Sequence, residues 1–278
     1  MPAFSAFDGT TLAYHESGSG SPLICLPGGP MQHSGYLEDL GGLSAHRRLV
    51  KLDPRGTGDS ATPDDPETYR CDRLVDDVEA LRAHLGLDRL TLLGHSAGTN
   101  LALMYATRHP ARVAALVLVT PSPLAAGIEV TGQERLEVAR LRAAEPWFPQ
   151  AYAAFEAIVA GTGTDWDVID PFFHGRWDHE TRRHQVSQAA ARNDEAAAVF
   201  SSAYDPPATR KAMAALRMPV FVLAGEVDVN TPPVAASRLA ALLPGAEQAV
   251  LPAAGHFPWR DDPSRFAETI ETFLKTAL

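Results

Sequence analysis

The sequence predicts an α/β protein built on a mostly parallel, doubly wound sheet with an inserted helical cap. Short continuous apolar runs stop at Gly- or Pro-rich loops, as at Leu23-Ile24-Cys25-Leu26 and Val113–Val119, which is the composition of strands covered on both faces. Helical stretches alternate with these runs, so the connections are crossovers and the strands parallel. Between Pro121 and Arg217 the buried-strand pattern lapses, and it resumes at Pro219-Val220-Phe221-Val222-Leu223-Ala224. The expected organisation is a core of residues 1–120 and 218–278 with residues 121–217 as a cap insertion above the carboxyl ends of the strands.

In chain order, Phe4–Phe7 and Thr11–His15 flank Asp8-Gly9-Thr10 and predict an opening antiparallel hairpin. The strand Leu23–Leu26 ends in Pro27-Gly28-Gly29-Pro30, a fixed loop whose backbone can approach a ligand closely. The strand Arg48–Leu52 runs into Asp53-Pro54-Arg55-Gly56-Thr57-Gly58-Asp59-Ser60, which lacks the Gly-Lys-Ser/Thr ending of a phosphate-binding loop and is not read as one. Leu74, Val78, Leu81 and Leu85 recur at helical spacing before the stop at Gly86. Leu90 and Leu92-Leu93 then form a strand, Thr99–Met104 opens a helix, and Arg112–Val119 contains the next strand. Within the insertion the chief helical segments are Glu134–Ala144, Gln150–Ala160 and His179–Phe200. Ala249-Val250-Leu251 is a last short strand, and a loop over Pro252–Trp259 leads to the final helix Arg265–Leu274.

A chain of 278 residues with 45% hydrophobic content can bury one large core. Its formal net charge of −10 disfavours nucleic acid and anionic membrane as partners. The expected partner is a small-molecule substrate; oligomeric state is not encoded legibly. Cys25 and Cys71 make neither a disulfide framework nor a metal set and are expected to be reduced thiols. The N-terminus lacks a basic region followed by an apolar run, and no window reaches the length of a membrane span, so a cytoplasmic setting is expected.

Chemistry concentrates at Gly94-His95-Ser96-Ala97-Gly98, set between a buried strand and a helix. Gly-x-Ser-x-Gly in that setting is a nucleophile elbow: a sharp turn exposes Ser96 Oγ, and small residues permit close approach of strand and helix. The Ala97 N–H lies at the positive end of the following helix and can stabilise an oxyanion. A second donor is expected from the N–H of Gly29. Asp228, following a strand in Gly225-Glu226-Val227-Asp228, is the candidate acid with Glu226 as its rival, and His256 in Gly255-His256 is the candidate base. A serine hydroxyl is a weak nucleophile at neutral pH, so the imidazole has to take its proton and the carboxylate has to orient and stabilise the imidazolium.

Pro27-Gly28-Gly29-Pro30, Asp53–Ser60, the elbow, Gly225–Asp228 and Gly255-His256, in the chain order Ser, Asp, His, resemble the α/β-hydrolase superfamily and its proline iminopeptidase-like branch. The resemblance covers both sheet segments and implies the α/β-hydrolase fold. It also implies a cofactor-independent serine hydrolase that cleaves an ester, thioester or amide of a small, partly apolar substrate through an acyl-enzyme. The chain departs from that branch at Pro27 and Met31 in the oxyanion loop, at Ala97 where a tryptophan is usual, and at Val229 where a glutamate often anchors a substrate ammonium. Aminopeptidase activity is therefore the alternative, with Glu195 as one possible anchor; a non-catalytic binding protein of hydrolase ancestry is a second. Met31, Phe172, Trp177, Glu195, Val229 and Phe257 are the candidate substrate-binding residues. Asp165, Asp167, Asp170, His174, Asp178, His179, Glu180 and His184 lack the spacing His-Glu-x-x-His and are read as solvated helix ends, with no metal site expected.

Overall fold

The computed structural model describes residues 2–189 and 191–278. Eight strands form one sheet: β1 Ala3–Ser5, β2 Thr11–Ser17, β3 Pro22–Leu26, β4 Arg48–Leu52, β5 Leu90–His95, β6 Val113–Val119, β7 Val220–Gly225 and β8 Glu247–Leu251. Their spatial order is β1-β2-β4-β3-β5-β6-β7-β8. The expected hairpin is present: β1 pairs antiparallel with β2, Phe4 opposite Leu12. β2 lies antiparallel to β4, and every later pairing from β4 to β8 is parallel.

The central strands carry apolar residues on both faces because helices cover both. On β6, Val113, Leu116 and Leu118 join one core cluster while Ala115, Val117 and Val119 join the other. The first cluster takes Leu74, Val75, Val78 and Leu81 of α1 (Cys71–His84) and Leu101, Ala102 and Tyr105 of α2 (Gly98–Arg108). The second takes Phe266, Ile270, Phe273 and Leu274 of the C-terminal helix, whose i, i+4, i+7, i+8 spacing makes one apolar stripe.

Residues between β6 and β7 contribute no strand to the sheet among the described residues. This insertion carries α3 (Gly132–Ala139), α4 (Phe148–Val159), a 3-10 segment Trp166–Phe173, α5 (His179–Ala189), α6 (Asp194–Phe200) and α7 (Pro206–Met213). It holds its own small core of Leu136, Ala139, Ala151, Phe155, Ile169 and Phe172, closed by Val229 from the sheet domain. The expected single helix His179–Phe200 is corrected to α5 and α6. Asn193 caps α6 by accepting the Ala196 N–H at 3.0 Å, its own N–H reaches Met31 O at 2.9 Å, and Arg192 bridges to Gln32. The break thus ties the insertion to the loop after β3. The expected helix Glu134–Ala144 starts earlier, at a capping box of Thr131 and Glu134, and tightens into a 3-10 turn at Arg140–Arg142. After β7 come α8 (Pro233–Ala240), α9 (Pro258–Asp261) and α10 (Pro263–Ala277), the last longer at both ends than its apolar stripe suggested.

The glycine-rich loop after β4 is a structural hub. The Asp53 carboxylate accepts from Ser34 N at 2.8 Å, Ser34 Oγ at 2.7 Å, His15 Nε2 at 2.9 Å and Asp59 N at 3.1 Å. Arg55 is fully buried and pairs with Asp77 of α1 and, at 2.6 Å, with Asp8 of the hairpin turn. Burial pushes the Asp77 carboxyl up to about 6 even against the attraction of Arg55. Arg55→Met strands that carboxyl and is expected to lower unfolding free energy by about 3–5 kcal/mol in urea titrations, most of it regained in Arg55→Met/Asp77→Leu.

Candidate active site

β5 ends at His95 and α2 begins at Gly98, leaving Ser96 with φ +50°. A side chain in that region costs on the order of 1–3 kcal/mol, and surrounding bonds have to hold it there. The Ser96 N–H donates to Val119 O at 3.0 Å, and Ser96 O accepts from Thr99 N at 3.1 Å and Ser122 N at 3.2 Å. A Cβ on Gly94 would come within 2.8 Å of Thr99 Cα, so strand and helix do approach too closely for a side chain there. Gly98 is small for another reason: a Cβ there would meet the carbonyl oxygens of Leu26 and Pro27, at the end of β3, at 2.4 Å. Gly28 is excluded from having a side chain by Ser96 itself, whose Cβ would lie 2.8 Å away.

These contacts bring the loop after β3 against the elbow. Gly29 and Ala97 border the same cavity as Ser96, and among the described residues neither backbone N–H has a hydrogen-bond partner. Two unengaged donors beside one hydroxyl are what an oxyanion site requires.

His256 Nδ1 lies 2.8 Å from Asp228 Oδ2, with both side chains buried. Asp228 also accepts from Asn230 N at 2.8 Å, Thr231 N at 3.1 Å and Thr231 Oγ1 at 2.7 Å. Burial works to raise the Asp228 pKa, but the facing imidazole and these donors outweigh it, and the carboxyl is held below its usual range. With Nδ1–H donating to this carboxylate, Nε2 keeps its lone pair and accepts from Asn230 Nδ2 at 3.1 Å. Among the described residues Ser96 Oγ makes no hydrogen bond. Ser96 and His256 border a common cavity of about 260 Å³. Glu226, the rival acid, is exposed and accepts from the Ala253 N–H at 2.7 Å, so it is not paired with the imidazole.

A hydrogen-bond chain behind the site fixes the relative heights of its loops. The Gly28 N–H donates to Tyr36 Oη at 2.6 Å, Tyr36 O–H donates to His95 Nδ1 at 2.7 Å, and His95 Nε2–H donates to the His256 carbonyl at 2.9 Å. Burial, then repulsion from His256, holds the His95 pKa well below its ordinary value, so the ring is neutral and one nitrogen can accept. The insertion contributes too: Phe173 O accepts the His256 N–H at 2.8 Å.

Three cavities meet here. One of about 440 Å³ is bordered by Gly29, Ser96, Ala97, Ser122, Arg135 and Asn230 among others; the second is the one shared with His256. The third, about 390 Å³, lies in the insertion among Phe155, Ile158, Trp166, Ile169, Phe173 and Val229, with Arg135 and Asn230 at its wall. Asn230 borders all three.

Residues 21–263 match the family model described as alpha/beta hydrolase fold. The chain belongs to the α/β-hydrolase family. A protein of Bacillus subtilis (strain 168), provisionally named 2-succinyl-6-hydroxy-2,4-cyclohexadiene-1-carboxylate synthase, is 26% identical over 275 residues, 96% of each chain. The proline iminopeptidase of Lactiplantibacillus plantarum is 28% identical over 272 residues, 91% of this chain and 92% of its own. In fold, the hydrolase superposes on an esterase from Exiguobacterium antarcticum with a TM-score of 0.74 at 20% identity, covering 98% of each chain.

Several expected pocket residues of the hydrolase lie elsewhere. Met31 is buried in the main core, where its neighbours Gly29 and Pro30 border the cavity instead. Phe172 is a core residue of the insertion, packed on Trp147 and Phe155, while the adjacent Phe173 reaches two cavities. Trp177 stacks near His174 and under Arg182 and borders none of the three; Glu195 is exposed on α6 and borders none. Val229 lines the insertion cavity, and Phe257 lines the cavity shared by Ser96 and His256. His174 and His184, expected as solvated, are buried against Phe257, His174 stacked on its ring and His184 edge-on to it, each with its ring 5.2 Å from the Phe257 ring. Arg135, Asn230 and Tyr36 carry no motif signature. The Asx position of Asn230, two residues past Asp228, was the one available hint.

Tyr36→Phe strands the Gly28 N–H and His95 Nδ1 together and is expected to cost about 2–4 kcal/mol in denaturant titrations. Burial lowers His174 to about 4 from an ordinary 6.5. Between those values the unfolded chain binds a proton that the native protein does not, so stability rises with pH across the window and is lost as pH falls through it. Relative to His174→Phe, wild type should lose stability from about pH 6.5 to about pH 4, by up to about 1.4 kcal/mol per pH unit, and no further below; urea midpoints over that range check this.

Proposed function

We propose that the protein is a serine hydrolase that cleaves an ester, thioester or amide bond of a small, partly apolar substrate through an acyl-enzyme on Ser96. The observation that carries this is the buried Asp228–His256 pair at 2.8 Å opening on the same cavity as a strained, unbonded Ser96. Residues 121–217 act as a cap over the core formed by residues 1–120 and 218–278, and its apolar cavity receives one arm of the substrate. The setting is cytoplasmic, where the buried Cys25 and Cys71 persist as thiols.

Attack begins when Ser96 Oγ displaces the Asn230 amide as the partner of His256 Nε2. The imidazole takes the hydroxyl proton as Oγ adds to the carbonyl carbon, and Asp228 stabilises the imidazolium. The oxyanion meets the N–H groups of Gly29 and Ala97, each donor of this kind being worth about 2.7–4 kcal/mol. Protonation of the leaving group by His256 completes acylation. Water, deprotonated by the same imidazole, then attacks the acyl carbon and returns Ser96.

The similarity to a proline iminopeptidase over nearly the whole chain supports aminopeptidase activity as a second possibility. Recognition of a free amino terminus needs a carboxylate in the pocket. Among the described residues Glu129 is the only acid bordering the three cavities, and it is exposed. The ester-type activity is therefore preferred.

A fluorophosphonate probe should label wild type and leave Ser96→Ala unlabelled, with turnover of p-nitrophenyl acyl esters falling on the order of 10⁶-fold in that variant. Labelling elsewhere, or a fall of only a few fold, would remove Ser96 as nucleophile. Cleavage of prolyl p-nitroanilides with little ester hydrolysis would reverse the order of the two activities.

A further inference from the structure

Arg135 projects from α3 to the junction of the Ser96 cavity and the apolar cavity of the insertion, bordering both. Its Nη1 donates to the carbonyls of Val229 at 2.7 Å and Asn230 at 2.6 Å. These two bonds fix the guanidinium against the loop that carries Asp228. Nε and Nη2 make no hydrogen bond among the described residues, and neither is among the buried polar atoms sealed from solvent.

The Nε/Nη2 edge is the one this protein uses elsewhere to grip carboxylates. Arg47 holds Glu271 through Nε at 2.6 Å and Nη2 at 3.2 Å. Arg82 holds Glu79 through Nε at 2.9 Å and Nη2 at 2.7 Å, and Arg70 holds Asp72 at 3.1 and 3.0 Å. On Arg135 that edge is open. The carboxylates whose charge reaches it, Asp228 and Glu134, are already paired, with His256 and with Arg238. No ion pair joins Arg135 among the described residues, although burial lowers its pKa. A half-buried cation without counter-charge invites an anion from outside, and a planar fork suits a carboxylate.

We propose that Arg135 is an anion-binding residue of the active site, and that the substrate carries a carboxylate on the arm that enters the insertion cavity, as in a monoester of an aliphatic dicarboxylic acid. The location of the scissile bond rests on the assignment of Ser96; the anion site does not. Glu129, the one acid bordering the larger Ser96 cavity among the described residues, is exposed, so its charge is screened by water more than that of the half-buried Arg135.

The test pairs p-nitrophenyl hydrogen adipate with p-nitrophenyl hexanoate, substrates of equal chain length that differ in one terminal carboxylate. Wild type should favour the adipate in kcat/KM. Arg135→Gln should reduce that preference at least tenfold, mostly through KM, and Arg135→Lys, which keeps the charge without the fork, should fall between. A wild type that favours the hexanoate, or an Arg135→Gln variant that loses equally on both, overturns the proposal and leaves Arg135 a clamp on the acid loop. Calorimetric binding of monomethyl adipate to Ser96→Ala and to Ser96→Ala/Arg135→Gln removes chemistry from the comparison. At least tenfold weaker binding in the double variant supports the site even if Ser96 proves not to be the nucleophile; equal binding refutes it.

Discussion

The hydrogen bond from His95 Nε2 to the carbonyl of His256 couples three loops that have no covalent reason to be level. His95 sits on the elbow, His256 on the loop after β8, and through Tyr36 the same imidazole reaches Gly28 in the loop after β3. The distances are short because His95 is neutral: one nitrogen donates and the other accepts, which a charged ring could not do. Burial that would be a liability for a titrating histidine therefore keeps the chain intact. The Thr120 hydroxyl adds a second donor to the His256 carbonyl at 3.0 Å, so the proposed base is held by its backbone before its side chain meets Asp228.

The elements legible in the sequence are those with a local cause. β6 was readable because seven consecutive residues have to be apolar on both faces, and the opening hairpin because Asp8-Gly9 fits a tight turn. The close approach at Gly94 and the pairing of Asp228 with His256 were readable because both restrict residue type. The constraint on Gly98 was not, since it comes from carbonyls on β3, more than seventy positions away in the chain. The same holds for Met31, Phe172 and Trp177. Apolar side chains in a loop or an insertion give no sign of whether they face a cavity or a core. Arg135 lay within a recognised helix, but on a helix surface an arginine facing water and one facing a pocket look alike. The division of α5 from α6 was encoded in Asn193-Asp194, a cap signal that the surrounding helical residues obscured.

The insertion is bonded to the loops at the carboxyl ends of the strands. Phe173 O receives the His256 N–H, Arg135 holds the consecutive carbonyls of Val229 and Asn230, and Asn193 fastens α6 to the loop containing Gly29 through Met31 O. Each of the four loops bearing a proposed catalytic group thus has at least one backbone group bonded to the insertion, the elbow through the Ser122 N–H to Ser96 O at 3.2 Å. Movement of the insertion as a unit would change the orientation of His256, the acid loop and the oxyanion loop together. In the proposed reading, substrate size and catalytic geometry are consequently set by the same helices, and a change in one has to be accommodated by the other.

Asn230 shows how this coupling reaches the chemistry. Its N–H is committed to Asp228, its carbonyl to Arg135, and its side-chain amide to His256 Nε2. With backbone groups engaged on both sides, the residue is held by the acid on one flank and by the insertion on the other, and only its side chain is left to rotate. That side chain occupies the lone pair which Ser96 uses in the proposed mechanism, at the point where all three cavities meet. A neutral amide there costs little to displace, since its N–H groups can turn to water or to substrate in a cavity that is already open. In the proposed mechanism the resting site thereby keeps its base hydrogen-bonded and its serine free, and substrate filling the cavities supplies the reason for the imidazole to change partners.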